Sequence, residues 1–262
     1  MSRVLIGIPT LDGPERLKRA LASIREHTDL RDVAIVVSDD GSTPNNLGWA
    51  KEIASHFSVY LIAQEQRVGL AKQWNQIVRS VPDAEIVVLI NDDIEVVQHW
   101  LDVLVFTLDN NSKVGTVGLR SEYGTIAADA PPRPRRDFAD SRIVDGNGTL
   151  LWSSGPCFAF RRREWESVGG FDERYFVYYE DVDFGITLRQ LGFSNVIAEY
   201  PVVYHMGGAT MTRLDPHTVM AESAKKFAEK WGDKTFAEFR ARFAKFNRRT
   251  FVEWNSSWKD WP

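Results

Sequence analysis

The chain has 262 residues, 44% of them hydrophobic and 26% charged, with a formal net charge of −4. That is enough for a sizeable core in one large or two small domains, and it excludes global disorder and a generally basic nucleic-acid binder. A single cysteine, Cys157, excludes an intrachain disulfide and a cysteine-rich zinc site, so a bound metal must rest on carboxylates, histidine and water.

Arg3–Ile8 is an apolar run of strand length, too short for a signal-peptide core or a membrane span. Pro14–Glu26 has Leu17, Ala20, Leu21 and Ile24 at helical spacing, with Pro14 in the first turn. Val33–Ser38 reads as a second strand. Leu47, Ala50, Ile53 and Phe57 mark a second helix, and Ser58–Ala63 a third strand. Leu70, Trp74, Ile77, Val78 and Val81 are spaced for a third helix. Glu85–Ile90 reads as a fourth strand, Trp100, Leu101, Leu104 and Leu108 as a fourth helix, and Val114–Leu119 as a fifth strand. This alternation predicts an α/β fold with parallel strands and right-handed crossovers.

The second half is less regular. Ser121–Gly148, with its Pro131-to-Arg136 centre, reads as a long loop. Strands are predicted at Thr149–Trp152 and Pro156–Phe160, and helices at Arg163–Val168 and Asp181–Leu191. Two further strands fall at Asn195–Tyr200 and Val202–Tyr204. From Asp215 the pattern is helical through Trp231, with a last helix at Thr235–Phe246. Four of the nine tryptophans lie from Trp231 onward.

Ligands of such sheets bind beyond the carboxyl ends of the strands. Pro9-Thr10-Leu11-Asp12 follows the first strand, Asp39-Asp40-Gly41-Ser42 the second, and Asn91-Asp92-Asp93 the fourth. Adjacent carboxylates repel, and a divalent cation sharing phosphate oxygens would relieve Asp92 and Asp93; Asp93 could equally cap a helix starting near Val96. The Asp39-Asp40 turn suits either simple turn chemistry or a nucleoside hydroxyl or base N–H. Glu180-Asp181-Val182-Asp183 follows the aromatic run Tyr175–Tyr179, which suits a helix start or a general base beside an aromatic wall. His205 is either a satisfied polar residue or a metal ligand.

In this order the residues resemble family 2 glycosyltransferases with the GT-A fold. The resemblance rests on Ile8-Pro9-Thr10, Ser38 to Ser42, Gly69 to Asn75 and Leu89 to Asp93. It continues through Gly169 to Glu173, Tyr179 to Phe184, and His205 with Gly207-Gly208, and so covers roughly residues 3 to 210. It implies a Rossmann-like, mixed but mostly parallel sheet flanked by helices. A catalytic domain would span residues 1–212 and a helical extension 213–262.

The resemblance implies that Pro9, Thr10, Asp12 and the Asp39-Asp40 pair surround the nucleoside, with Gly69 giving the nucleotide close backbone approach and Asn75 on the helix behind. Asn91-Asp92-Asp93 would take the place of the family's Asp-x-Asp motif, with Asn91 and Asp92 among the donor-binding residues and Asp93 and His205 holding Mn2+ or Mg2+. Asp181 would be the base, and Trp152, Gly155, Pro156 and Glu180 would border the sugar and acceptor. The implied reaction is metal-dependent, inverting transfer from a UDP-sugar, or a dTDP-sugar, to a glycan, lipid-linked or other hydroxyl acceptor. Asn91 stands where the family has an acid, and Arg67 where it commonly has Asn.

Other classes fit less well. A sugar-phosphate nucleotidyltransferase would open with a Gly-rich basic loop, which residues 7 to 19 lack. A dinucleotide oxidoreductase would carry G-x-G-x-x-G after the first strand. A noncatalytic carbohydrate-binding protein on a degenerate fold would not need both Asp93 and Asp181. Nucleic acid is not expected as a partner, and a cytoplasmic protein is. The basic, aromatic tail could pack on the catalytic domain, pair with a second copy or lie on a membrane surface.

Overall fold

Alternate residues of the central strands feed two opposite helix layers. The computed structural model describes residues 2–123, 152–153, 156–206 and 215–232. Its first half follows the predicted order: β1 (Val4–Thr10), α1 (Pro14–His27), β2 (Val33–Asp39), α2 (Pro44–Phe57), β3 (Tyr60–Ala63), α3 (Leu70–Ser80) and β4 (Ile86–Ile90). Then come β5 (Ile94–Glu95), α4 (Trp100–Asn110), β6 (Val114–Tyr123), β7 (Cys157–Arg161), α5 (Arg162–Ser167), α6 (Glu180–Gln190), β8 (Ser194–His205) and α7 (Pro216–Trp231).

One sheet runs in the order β3-β2-β1-β4-β7-β6-β8-β5. The β1–β2, β1–β4, β2–β3 and β6–β8 pairs are parallel. β7 enters between β4 and β6 and runs antiparallel to both, so β6 does not continue the parallel series edge to edge. Two-residue β5 adds antiparallel to the end of β8. It is too short to leave a periodic signal.

Val4, Ile6 and Ile8 of β1, Ile86, Val88 and Ile90 of β4, and Cys157 and Ala159 of β7 face the layer of α1, α2 and α4. Their neighbours Leu5, Val87, Leu89, Phe158 and Phe160 face α3, α5 and α6. The same alternation continues at the end of β7. Arg161 donates to the carbonyls of Leu108, Asn111 and Val114 around the end of α4. Arg162 donates to Val78, Val81 and Ala84 around the end of α3. Two consecutive arginines thus satisfy the orphan carbonyls of helices on opposite faces.

Several sequence expectations change. The predicted loop from Ser121 begins later, because β6 continues through Tyr123 in register with His205. Asn195–Tyr200 and Val202–Tyr204 form one strand, β8, with a shift in its pairing between Leu119 and Ser121 of β6. Trp152 is not in a strand. Residues 124–151, Gly155, Gly207-Gly208, the helix expected at Thr235–Phe246 and the terminal tryptophans lie outside the described residues.

Asn75 has a structural duty rather than the nucleotide-side role assigned from the resemblance. Its Nδ2 donates to the Phe171 carbonyl and Glu173 Oε1, each at 2.9 Å. Its Oδ1 accepts from Trp165 Nε1 at 3.0 Å and the Phe171 N–H at 2.9 Å. Two donors and two acceptors saturate a carboxamide, so none remains for a ligand. The side chain pins the segment between α5 and α6 onto α3. Gly170, at φ +92°, allows this approach: a Cβ there would lie 2.8 Å from Asn75 Oδ1. Asn75→Ala strands the Trp165 and Phe171 donors in the core and should lower stability by about 3 kcal/mol in urea unfolding. A loss below about 1 kcal/mol would contradict the hub.

Candidate active site

The ends of β1, β2 and β4 gather the first acids. Thr10 pairs in register with Asp39, and the Asp40 N–H donates to the Thr10 carbonyl at 2.9 Å. Asp39 is fully buried and bends its own turn: Oδ1 accepts from the Ser42 N–H at 2.9 Å and Oδ2 from the Ser42 hydroxyl. Asp40 Oδ1 accepts from the Val68 and Gly69 N–H groups at 2.7 and 3.2 Å, and Oδ2 faces Arg67 Nε at 3.3 Å. Burial holds its carboxyl above the ordinary range, against the pull of the Val68 and Gly69 N–H groups and Arg67. Asp40 thereby closes the loop before α3 onto β2.

Asp12 also turns to the scaffold. Its Oδ1 accepts from the Thr43 N–H and hydroxyl and from Asn46 Nδ2 at the start of α2. Gly69, at φ +88°, spends its freedom on Phe176: a Cβ would lie 2.5 Å from the Phe176 carbonyl oxygen. That oxygen accepts from the Leu70 N–H at 2.6 Å. Within the chain, then, the neighbour admitted by Gly69 is the segment leading to Asp181, whereas the resemblance gives that space to a nucleotide. Arg67 adds a contact over the Phe176 ring at 5.2 Å.

Asn91-Asp92-Asp93 forms the turn after β4. Asn91 is half-buried, and its N–H donates to the Pro156 carbonyl at 2.9 Å, which brings Pro156 to the turn. Asp92 is buried and neutralised from within. Thr10 Oγ1 donates to its Oδ2 at 2.6 Å, and Arg16 reaches both its oxygens at 3.3 Å. Gly13 leaves room for this, since a Cβ there would collide with the Arg16 guanidinium. Burial pushes the Asp92 carboxyl up to about 6, with Arg16 pulling it down and Asp93 pushing it up. Arg16 is a partner of Asp92 that the sequence reading misses. Its only signal is an arginine in the first turn of a helix that starts beneath the strand ends.

Asp93 is not a helix cap, since β5 follows it and α4 begins only at Trp100. Its side chain is 4% exposed, and its Oδ1 accepts no hydrogen bond. That oxygen faces His205 Nε2 at 3.3 Å. β5 makes the meeting possible, because Ile94 pairs with His205 and the Met206 N–H donates to the Asp93 carbonyl at 3.0 Å. A buried carboxylate oxygen opposed by one imidazole nitrogen is a two-ligand donor set that suits Mn2+ or Mg2+, with phosphate and water completing the shell. Among the described residues no group of three or more His, Cys, Asp or Glu could hold a metal.

Asp181 belongs to a second group at the start of α6. Tyr178 and Tyr179 both have positive φ, 68° and 72°. Two consecutive non-glycine residues in that region store backbone strain, which persists only where surroundings impose it. Asp181 is half-buried, and its Oδ1 accepts from the Val182 N–H at 2.8 Å. Glu180 is buried, and its Oε2 has no hydrogen-bond partner. Burial, then Asp181 and Asp183, hold its carboxyl well above the ordinary range. Trp152 packs with Tyr175, Val182 and Phe227 beside this turn. The buried Cys157 thiol is pushed upward by burial alone, which leaves it inert packing.

Known proteins share this architecture. The mannosyltransferase PcManGT from Pyrobaculum calidifontis, solved with GDP-Man and Mn2+, superposes with a TM-score of 0.66 over 94% of this chain and 69% of its own, at 20% identity. S. aureus TarS 1-349 with UDP-GlcNAc gives 0.65 over 99% of this chain and 78% of its own, at 16% identity. The N-acetylglucosaminyl-diphospho-decaprenol L-rhamnosyltransferase of Mycobacterium tuberculosis is 26% identical over 84% of this chain and 81% of its own. The mixed sheet is thus the GT-A arrangement that the motifs imply. The model of glycosyl transferase family 2 matches residues 5–169, well over half of the chain, and the chain therefore belongs to that family.

Proposed function

We propose that this glycosyltransferase moves a sugar from a nucleoside-diphosphate sugar to an acceptor hydroxyl, with inversion at the anomeric carbon and with Mn2+ or Mg2+ held by Asp93 and His205. The observation that carries the metal is the buried Asp93 Oδ1, without a hydrogen bond and 3.3 Å from His205 Nε2. When bound, the cation would stabilise charge on the leaving diphosphate. Arg16 and Thr10 occupy Asp92, leaving Asp93 as the carboxylate available to the cation.

Thr10, Asp39 and Asp40 form the rim on which the nucleoside would rest. Asp181 would accept the proton of the acceptor hydroxyl as its oxygen attacks from the face opposite the diphosphate. One base is sufficient for a single inverting displacement. Burial, then Asp181 and Asp183, raise the Glu180 carboxyl, and of the two neighbours the half-buried Asp181 is the one assigned the role of base. A UDP- or dTDP-sugar remains the favoured donor, and the rhamnosyltransferase relative favours a lipid-linked acceptor. No described helix is long and apolar enough to cross a membrane.

A thermal-shift screen of UDP-, dTDP- and GDP-sugars with Mn2+ should give one donor that stabilises the protein. Absence of binding and of donor hydrolysis across the panel would overturn the enzyme reading. With that donor, Asp93→Ala should abolish metal-dependent binding. Asp181→Asn should bind normally and lose transfer by about 100-fold or more. Equal, modest effects of both would point to structural roles. Product NMR should show the inverted anomer, and retention would refute the single displacement.

Glu180 also predicts a pH dependence. Its folded pKa lies above the unfolded value, so its contribution to stability is fully present at low pH and lost as pH rises through the raised value. Glu180→Gln cannot ionise, so its urea midpoint relative to the natural chain should rise from about pH 5 upward. A constant difference across pH would contradict a proton retained on Glu180.

A further inference from the structure

The tail helix α7 is bolted to the segment that carries Asp181. Lys230 Nζ donates to Asp183 Oδ2 at 2.7 Å and to Asp172 Oδ2 at 2.9 Å. Trp231 Nε1 donates to Asp183 Oδ1 at 2.8 Å, and the Tyr175 hydroxyl reaches the same oxygen at 3.2 Å. Lys226 Nζ donates to the Arg174 carbonyl at 2.8 Å, and Ser223 Oγ to the Val177 carbonyl at 2.7 Å. Beneath these bonds Phe227 packs with Trp152, Tyr175 and Val182.

The ammonium thus ties the two ends of the stretch 172–183, and everything between them includes the strained Tyr178-Tyr179 pair and Asp181. Asp183 is 3% exposed, so its charge depends on Lys230 for compensation. Residues two apart on a helix point about 200° from each other. Holding Asp183 against α7 therefore turns Asp181 to the opposite side of α6, away from α7. A rotation of that first turn would swing the Asp181 carboxylate while leaving the Asp93–His205 pair in place; the strand-end rim meets this segment ahead of the turn, where the Leu70 N–H donates to the Phe176 carbonyl, and keeps its own carboxylate bonds.

We infer that Lys230 is a positioning residue for transfer: by bridging Asp172 and Asp183 it sets the rotation of the first turn of α6, and so the direction in which Asp181 faces the acceptor. The inference rests on the proposed role of Asp181 as base. It makes the tail helix part of the working site rather than an appendage.

The test uses the full chain with Lys230→Met, Lys230→Arg and Trp231→Phe, the last removing one bond to Asp183 while keeping an aromatic ring. Lys230→Met should lower kcat about 10- to 100-fold. Its calorimetric affinity for UDP, dTDP or GDP with Mn2+, whichever the natural chain binds, should stay within about threefold, because the rim acids keep their own bonds to Ser42, Val68 and Gly69. Lys230→Arg should restore most of kcat, and Trp231→Phe should show a smaller loss with the same split. Hydrogen exchange at the Asp183 amide should quicken in Lys230→Met.

Unchanged kcat in both Lys230→Met and Trp231→Phe would overturn the inference. So would a parallel loss of nucleotide affinity and kcat, which marks general unfolding. Asp181→Asn, run alongside, separates the two claims. Full transfer by that variant overturns the base assignment and the inference with it. Loss of transfer there, with unchanged kcat in the Lys230 variants, overturns the clamp alone.

Discussion

Asp92 and Asp93 are neighbours in the chain, and both are buried at the end of β4. Two carboxylates in one buried turn cannot both carry charge unless each meets its own positive partner. The fold meets this constraint asymmetrically. Asp92 turns inward to Thr10 and Arg16, where Gly13 leaves space for the guanidinium. Asp93 turns its Oδ1, which accepts no hydrogen bond, to the imidazole of His205. Much of the surrounding architecture serves that second contact. β8 must reach His205, β5 must pair with it, and β7 must bring Pro156 beside Asn91.

The strand-end acids differ in what they hold. Asp12 and Asp40 each fasten one loop to another and Asp39 holds its own turn, so the rim is stiff before any ligand arrives. The Asp40–Gly69–Phe176 connection then joins that rim to the segment preceding α6. Rim and the Asp181 segment are thus linked through the Asp40 carboxylate and one backbone hydrogen bond, while α7 holds that segment from its other side. A group-transfer site needs such stiffness, because misplacement by about 1 Å can cost about 100-fold in rate.

Much of this was legible in the sequence, and the reasons are specific. Apolar runs such as Ile86–Ile90 and spaced residues such as Leu17, Leu21 and Ile24 mark elements because burial has a period. Strand-end acids stand out because parallel sheets place polar turns there. The reversal of β7 was not legible, since Cys157–Arg161 reads the same in either direction. Nor were the pairings of Asp92 with Arg16, 76 positions away, or of Asp183 with Lys230, 47 away. Asn75 carried a family signal, but its saturated hydrogen bonding is a tertiary fact that no local pattern reveals. Among three acids at the start of α6, only the contacts single out Asp183, which anchors α7, from the half-buried Asp181.

The central claim is that Asp93 and His205 form the protein half of a cation site that a nucleoside diphosphate completes. It is tested most directly by crystals grown with Mn2+ and UDP, dTDP or GDP, read by anomalous scattering at the manganese edge. The account predicts one manganese peak bonded to an Asp93 carboxylate oxygen and to His205 Nε2, with diphosphate oxygens in the same shell. A nucleotide bound at the strand-end rim with no manganese at that pair would contradict it.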